Sequence, residues 1–170
     1  KLEECINSDL ANNYGNFCQR ALSFAEKNCQ NLIPTDIKFN DEDLKLLNSF
    51  SENANKLRSF IDNQQLNDYI KFLVDKMFDA NKYFNDETPW SKKDDIQRVN
   101  TIIYVSLEII RKISILLSPI MPQSTSKALK SLSINIKDVN FNSIVKHDSL
   151  KKGSSLNNQG ILFQKIEKND

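Results

Sequence analysis

The chain has 170 residues, enough for one domain or one domain with a tail, and a core of that size needs no disulfide or metal to hold it. Its 23 Lys and Arg face 22 Asp and Glu, a net charge of +1 with the single His neutral, which excludes nucleic-acid binding by bulk charge; any such contact must be local and shaped. Three glycines and four prolines argue against a loop-rich or all-β fold, and ten Phe argue against disorder, while much of the abundant Asn reads as coding background.

Helical periodicity dominates the first three-quarters. Over 2–28, Ile6, Leu10, Tyr14, Phe17, Ala21 and Phe24 form one stripe at steps of four and three. Residues 31–40, with Pro34, are a break. A second helix is expected from Asp41, with acidic residues in its first turn and a stripe of Leu44, Leu47, Phe50, Ala54, Leu57 and Ile61. A third carries Leu66, Tyr69, Ile70, Leu73, Met77, Ala80 and Phe84 and must end before Pro89, because the residue before a proline is pushed out of the α region. Ser91 to Asp94 resembles a capping box opening a fourth helix, which carries Ile96, Val99, Ile103, Ile110, Ile113 and Leu117, is apolar on most of its circumference and is therefore central. Pro119 to Pro122 stops it, and a short fifth helix follows at about 123–132. Beyond Ser133 the chain turns polar: residues 127–170 hold eight Lys against four acids, and 1–126 hold fifteen basic against eighteen acidic residues. The expected fold is all-α, an antiparallel helical bundle of four to five helices over 1–132 with an irregular C-terminal tail over 133–170. Tyr14, Phe17, Leu73 and Ile103 are expected in one core.

Cys5, Cys18 and Cys29 all fall on the first helix, where eleven residues span about 16 Å, too far to bridge; they read as buried or half-buried free thiols in a reducing compartment, with no metal role. The most apolar stretch, Ile102 to Met121, contains Glu108, Arg111 and Lys112, three charges that a membrane span would rarely carry. No secretory signal opens the chain, and no starting Met is present, which reads as a piece of a longer, cytoplasmic protein.

Nothing resembles a catalytic site: the lone His147 sits in the polar tail, and no glycine-rich phosphate loop exists. Two features stand out. Asp9, Asn13, Asn16 and Arg20 fall within about 60° of arc on the first helix, beside its apolar stripe. Amides, an acceptor and a guanidinium in a row can read hydrogen-bonding edges. A solvated face in an Asn-rich chain fits the same pattern. The second feature is Thr88-Pro89-Trp90-Ser91-Lys92-Lys93, where the only Trp follows a stiffening proline and precedes two lysines. An exposed indole there offers a stacking face for a base, and the lysines could meet phosphates. A Trp packed under a loop as ordinary core also fits.

Together these stretches resemble the anticodon-binding domain of the methionyl-tRNA synthetase family. Asn7-Ser-Asp-Leu10-Ala-Asn-Asn-Tyr-Gly15-Asn-Phe-Cys-Gln-Arg20 is similar to that family's N-x-x-LAN-x-x-GN-x-x-x-R helix; Asn81-Lys-Tyr-Phe84 through Pro89-Trp90-Ser-Lys92 to its N-x-Y/F…P-W-x-x-K; Leu116 to Pro122 to its L-L-x-P-x-M-P; and Gly160 to Ile166 to its closing G-x-x-L-F-P-R-I, with Gln164 in place of a proline. The resemblance implies that Trp90 stacks on the first base of the CAU anticodon, that Arg20, Asn13 and Asp9 contact anticodon bases or backbone, and that Pro89 fixes the Trp loop. Asp9 stands where family members often carry Asn, which weakens its direct role. Lys92 and Lys93 would meet phosphates. The implied partners are the anticodon loop of tRNA(Met) and the catalytic domain of a parent ligase, toward which the tail would return. That parent uses ATP and methionine; this chain carries no catalytic motif and no cofactor, so it should bind RNA without aminoacylating it. No dimerising extension follows Asp170, so a monomer is expected. The other readings are a helical protein-interaction domain without RNA binding, and the corresponding domain of a sister synthetase for Ile, Leu, Val or Cys.

Overall fold

The fold comes from a computed structural model, which describes residues 10–157. Helix α1 spans Ala11–Asn28, α2 Asp41–Ser51, α3 Ala54–Asp62, α4 Leu66–Glu87, α5 Ile96–Leu117 and α6 Pro122–Ser131. Every described residue of the stripe on α1 except Phe24 is buried, and Phe24 still packs on the core. Tyr14, Phe17, Leu73 and Ile103 join the one core, as their periodicity requires.

Helix α5 is the axis. From Thr101 to Leu117 every side chain is buried. Direction follows from side chains that cross to it. Tyr14, early on α1, bonds Ser114 late on α5, and Cys29, just past α1, donates to Asn100 near the start of α5 at 3.5 Å. Tyr69, early on α4, donates to the Leu116 carbonyl at 2.5 Å. Both α1 and α4 therefore run antiparallel to α5 and parallel to each other, which lays their polar edges side by side.

Two expected elements differ. The single helix expected from Asp41 to Ile61 is broken at Glu52–Asn53 into α2 and α3. Ser49 and Ser51 donate to the carbonyls of Leu46 and Asn48, and Asn53 donates to Ser49 O at 2.6 Å; side chains that bond the nearby backbone compete with the helix ladder. The break turns Leu47, Phe50 and Leu57 inward and leaves Leu44 and Ile61 exposed. The capping box expected at Ser91–Asp94 does not form. Ser91 instead donates to Thr88, closing a 3-10 turn over Pro89–Ser91, and the cap of α5 is Asp95, whose side chain accepts from Arg98 N at 3.1 Å. A true capping box stands at α2, where Asn40 and Asp43 each accept from the other's backbone N–H.

The polar segment after α6 is irregular, with 3-10 turns at Ile136–Asp138 and Phe141–Ile144 and one antiparallel bridge, Leu32 to Ser155. It packs on α5 through Ile144 and Leu150 and through the three charges that argue against a membrane span. Arg111 bonds Glu108 Oε2 through Nε and a terminal nitrogen at 3.0 and 2.8 Å and donates to the carbonyls of Ser143 and Lys146, both at 2.7 Å. Lys112 donates to the carbonyls of Ile144 and Lys146, and Glu108 Oε1 accepts from the amides of Ser149 and Leu150. These buried charges anchor tail backbone that has no regular ladder of its own. No described helix is long and apolar enough to cross a membrane.

Cys18 is buried and Cys29 half-buried, both as free thiols; burial pushes the Cys29 thiol up to about 11 and Cys18 higher still. Cys5, Asp9 and the Gly160–Ile166 stretch lie outside the described residues.

Candidate nucleic-acid interface

The end of α4 builds the Trp loop. Thr88 ends the helix in the left-handed region (φ 44°, ψ 59°), an unfavourable place for a β-branched residue, and its carbonyl and hydroxyl are both held by Ser91 Oγ at 2.8 Å. Pro89 is buried and fixes the first position of the turn. Trp90 is thereby pushed outward and is 46% exposed.

Phe84, one turn before the end of α4, underlies this loop. Its ring lies 6.0 Å from the Trp90 ring at a tilt of 51°, and it meets Phe17 and Phe24 edge-on at 6.5 and 5.9 Å. The Arg20 guanidinium sits 5.0 Å from the same ring, a cation–π distance, and its terminal nitrogen donates to Asn85 Oδ1 at 2.7 Å. Arg20 on α1 and Trp90 after α4 thus share one aromatic support, although 70 positions separate them in sequence.

Further along the α1–α4 seam, Asn13, Asn16, Gln19 and Arg20 face Phe78, Asn81 and Asn85 across a groove of about 550 Å³. Asn13 and Arg20 therefore share a groove, whereas Trp90 stands outside its lining and joins it through Phe84.

Behind the loop a buried ionic knot fixes its base. Arg98 grips the fully buried Asp43 with two bonds at 2.7 and 3.0 Å, Tyr83 donates to the same carboxylate at 2.6 Å, and Arg98 also reaches Glu87 at 2.9 Å. Burial alone would raise the Asp43 pKa, but the hydrogen bonds from Arg98 and Tyr83 outweigh it and hold the carboxyl below its ordinary range. Lys92 is drawn into this knot, 3.2 Å from Glu87, while Lys93 is exposed. Among the described residues no cluster of His, Cys, Asp and Glu could hold a metal ion.

Asn85, Phe78 and the Asp43–Arg98 pair escape a reading of the sequence. Phe78 had a signal, since it is an aromatic that falls off the stripe of α4. Asn85 had none in an Asn-rich chain.

A family model described as the anticodon binding domain of methionyl tRNA ligase matches residues 33–170. The chain belongs to this family. It is 30% identical over 166 residues to the methionine–tRNA ligase of Rickettsia felis, covering 95% of the chain and 32% of that protein. It is 34% identical over 129 residues to the Brucella suis enzyme, covering 75% of the chain and 25% of that protein. The fold matches the free-state methionyl-tRNA synthetase of Mycobacterium tuberculosis with a TM-score of 0.86 at 31% identity, over 95% of this chain and 33% of that one. A structure of the same mycobacterial enzyme bound by methionyl-adenylate matches with a TM-score of 0.84 at 32% identity, over 94% and 32%. The chain thus spans a quarter to a third of the length of these relatives.

In this anticodon-binding domain Phe84 has a testable positioning role. Phe84→Leu keeps most of the volume but removes the ring face under Arg20 and Trp90. It should cost no more than about 1.5 kcal/mol of stability. Trp90 emission anisotropy should fall, because the indole loses its only described aromatic neighbour. An unchanged anisotropy would show that Phe84 does not hold the loop.

Proposed function

We propose that this domain reads the CAU anticodon of tRNA(Met), with Trp90 stacking on the first base and Arg20 and Asn13 contacting base edges or backbone. The observation that carries the reading is an exposed indole and a guanidinium seated on one Phe84 ring beside an amide-lined groove. Unpaired loop bases are read by stacking on an aromatic face combined with hydrogen bonds to their edges. A pure protein-interaction bundle has no need of a half-exposed Trp on a strained, pre-formed turn. Pro89 sets that turn. Lys93 is the better placed phosphate contact, since Lys92 must first leave Glu87. Asp9 stays a weaker candidate.

The parent protein, on this reading, joins methionine to tRNA(Met) with ATP in a catalytic domain absent from this chain. The mycobacterial relative bound by methionyl-adenylate supports that chemistry. The tail would lead back toward that domain, in a cytoplasmic monomer.

Titrating Trp90 fluorescence with a CAU stem-loop, against one with another anticodon, tests the reading. Trp90→Ala should weaken binding to every loop by about 1–3 kcal/mol, because stacking ignores base identity. Asn13→Ala should chiefly erode the preference for CAU. Lys93→Ala should reduce the salt slope by about one unit and Lys92→Ala by less. Equal affinity for both loops in the unaltered chain would sink the reading.

A further inference from the structure

The left-handed turn at Thr88 is unfavourable on every local count. Of the five non-glycine residues described with a positive φ, Thr88 alone is branched at Cβ. It also precedes Pro89, and a residue before proline is driven toward extended backbone. A left-handed helix end is commonly offset by N–H groups that return to the last turn of the helix. Among the described bonds neither Thr88 N–H nor Trp90 N–H makes such a return, and Pro89 has no N–H to offer.

What holds the turn is Ser91. Its N–H donates to the Thr88 carbonyl at 2.9 Å, and its Oγ lies 2.8 Å from both the carbonyl and the hydroxyl oxygen of Thr88. Ser91 is exposed, so the packing of the core does not call for a hydroxyl there. A second strap, Lys92 to Glu87 at 3.2 Å, spans the same loop, but it leaves the Thr88 backbone untouched and a half-exposed lysine contributes little through it. The side chain that the turn presents is Trp90, half-exposed and therefore not fixed by burial. If Thr88 relaxes to the extended backbone that its Cβ and Pro89 favour, the turn over Pro89–Ser91 opens. The indole then leaves the Phe84 ring that it shares with Arg20.

Resting on the anticodon reading above, we propose that Ser91 is a positioning residue for it: its hydroxyl locks Thr88 in the left-handed region and so holds the Trp90 indole over Phe84 before RNA arrives. Ser91 itself touches no base. Ordering of the loop is complete before binding and does not oppose it. A loop that is closed for only part of the time binds more weakly in proportion to its closed fraction, whatever the anticodon.

The test compares Ser91→Ala and Ser91→Thr in the 170-residue chain, with a CAU stem-loop and one carrying another anticodon as ligands. Ser91 is exposed, so both variants should melt like the unaltered chain by circular dichroism. Before RNA is added, emission anisotropy of the single Trp should fall in Ser91→Ala and hold in Ser91→Thr, which keeps the hydroxyl. Ser91→Ala should then bind both stem-loops more weakly by one common factor, about two- to tenfold, the range of one lost hydrogen bond. Ser91→Thr should bind as the unaltered chain does, and a loss shared by this variant refutes the role of the hydroxyl. If Ser91→Ala loses affinity while the anisotropy of the free chain is unchanged, the hydroxyl meets RNA directly and the positioning role is refuted. If anisotropy or melting temperature falls but affinity does not, Ser91 serves the fold alone and the proposal is likewise refuted, while the Trp90 reading stands. If the unaltered chain binds neither stem-loop, or both equally, the anticodon reading itself falls, whatever Ser91 does.

Discussion

Replacing Arg111 with Met should lower the unfolding free energy by about 3–5 kcal/mol, the usual cost of stripping one partner from a buried ion pair. The Arg111 side chain is 2% exposed and its partner Glu108 is fully buried. Without the guanidinium, Glu108 Oε2 loses both of its donors and the carbonyls of Ser143 and Lys146 lose one each. Lys112 cannot take over. Its ammonium is already committed to the carbonyls of Ile144 and Lys146, so Arg111 is the cation that meets Glu108. The tail should fail first, because its backbone around 143–150 is held by these three side chains rather than by a ladder. Limited proteolysis should cut that segment sooner, and the urea midpoint should drop. The double variant Glu108→Gln/Arg111→Met should cost clearly less than the sum of the two single changes, since it removes the orphaned charge together with its partner. Additive costs, or a wild-type midpoint for Arg111→Met, would mean that the pair does not anchor the tail.

What the sequence makes legible, and what it hides, follows the range of the interactions. Helices α1 and α4 were readable because their burial repeats every three to four residues, as at Leu10 just before α1 and at Tyr14, Phe17 and Ala21 on it, and α5 because it is apolar around most of its circumference. The break between α2 and α3 was not, because Ser49, Ser51 and Asn53 can point to solvent or back-bond their own helix, and the pattern does not say which. Ser91 failed as a cap for a related reason: its hydroxyl serves the Pro89 turn. The outward Trp90 and the Asn13–Arg20 edge were visible as motif and as helical arc. Their meeting on Phe84 was not, since Phe84 looks in sequence like any other core position. Glu108, Arg111 and Lys112 were visible as charges in an apolar run. Apart from the Arg111–Glu108 pair itself, their acceptors and donors are tail backbone groups, which carry no residue-type signature.

The Asp43 knot makes the Trp loop acid-sensitive. The folded pKa of Asp43 lies below its unfolded value, so the unfolded state binds the proton more readily. Its stabilisation is therefore complete above about pH 4 and is lost as pH falls through the depressed folded pKa. Asp43→Asn should cost about 3 kcal/mol at neutral pH, because Arg98 then faces an amide in place of a carboxylate and Tyr83 loses a charged acceptor. The variant should also lose this part of the acid dependence: its stability should fall less between pH 5 and pH 2 than that of the unaltered chain. The consequence reaches the interface, since Arg98 also holds Glu87, at the last residue of α4 directly before the loop, and Glu87 holds Lys92 beyond it. Trp90 is the single Trp of the chain, so its emission reports on the loop alone. In Asp43→Asn at neutral pH, Trp90 emission should shift to longer wavelength before the helical signal is lost. Coincident transitions, with the same acid profile in both proteins, would show that Asp43 neither sets the acid limit nor braces the loop.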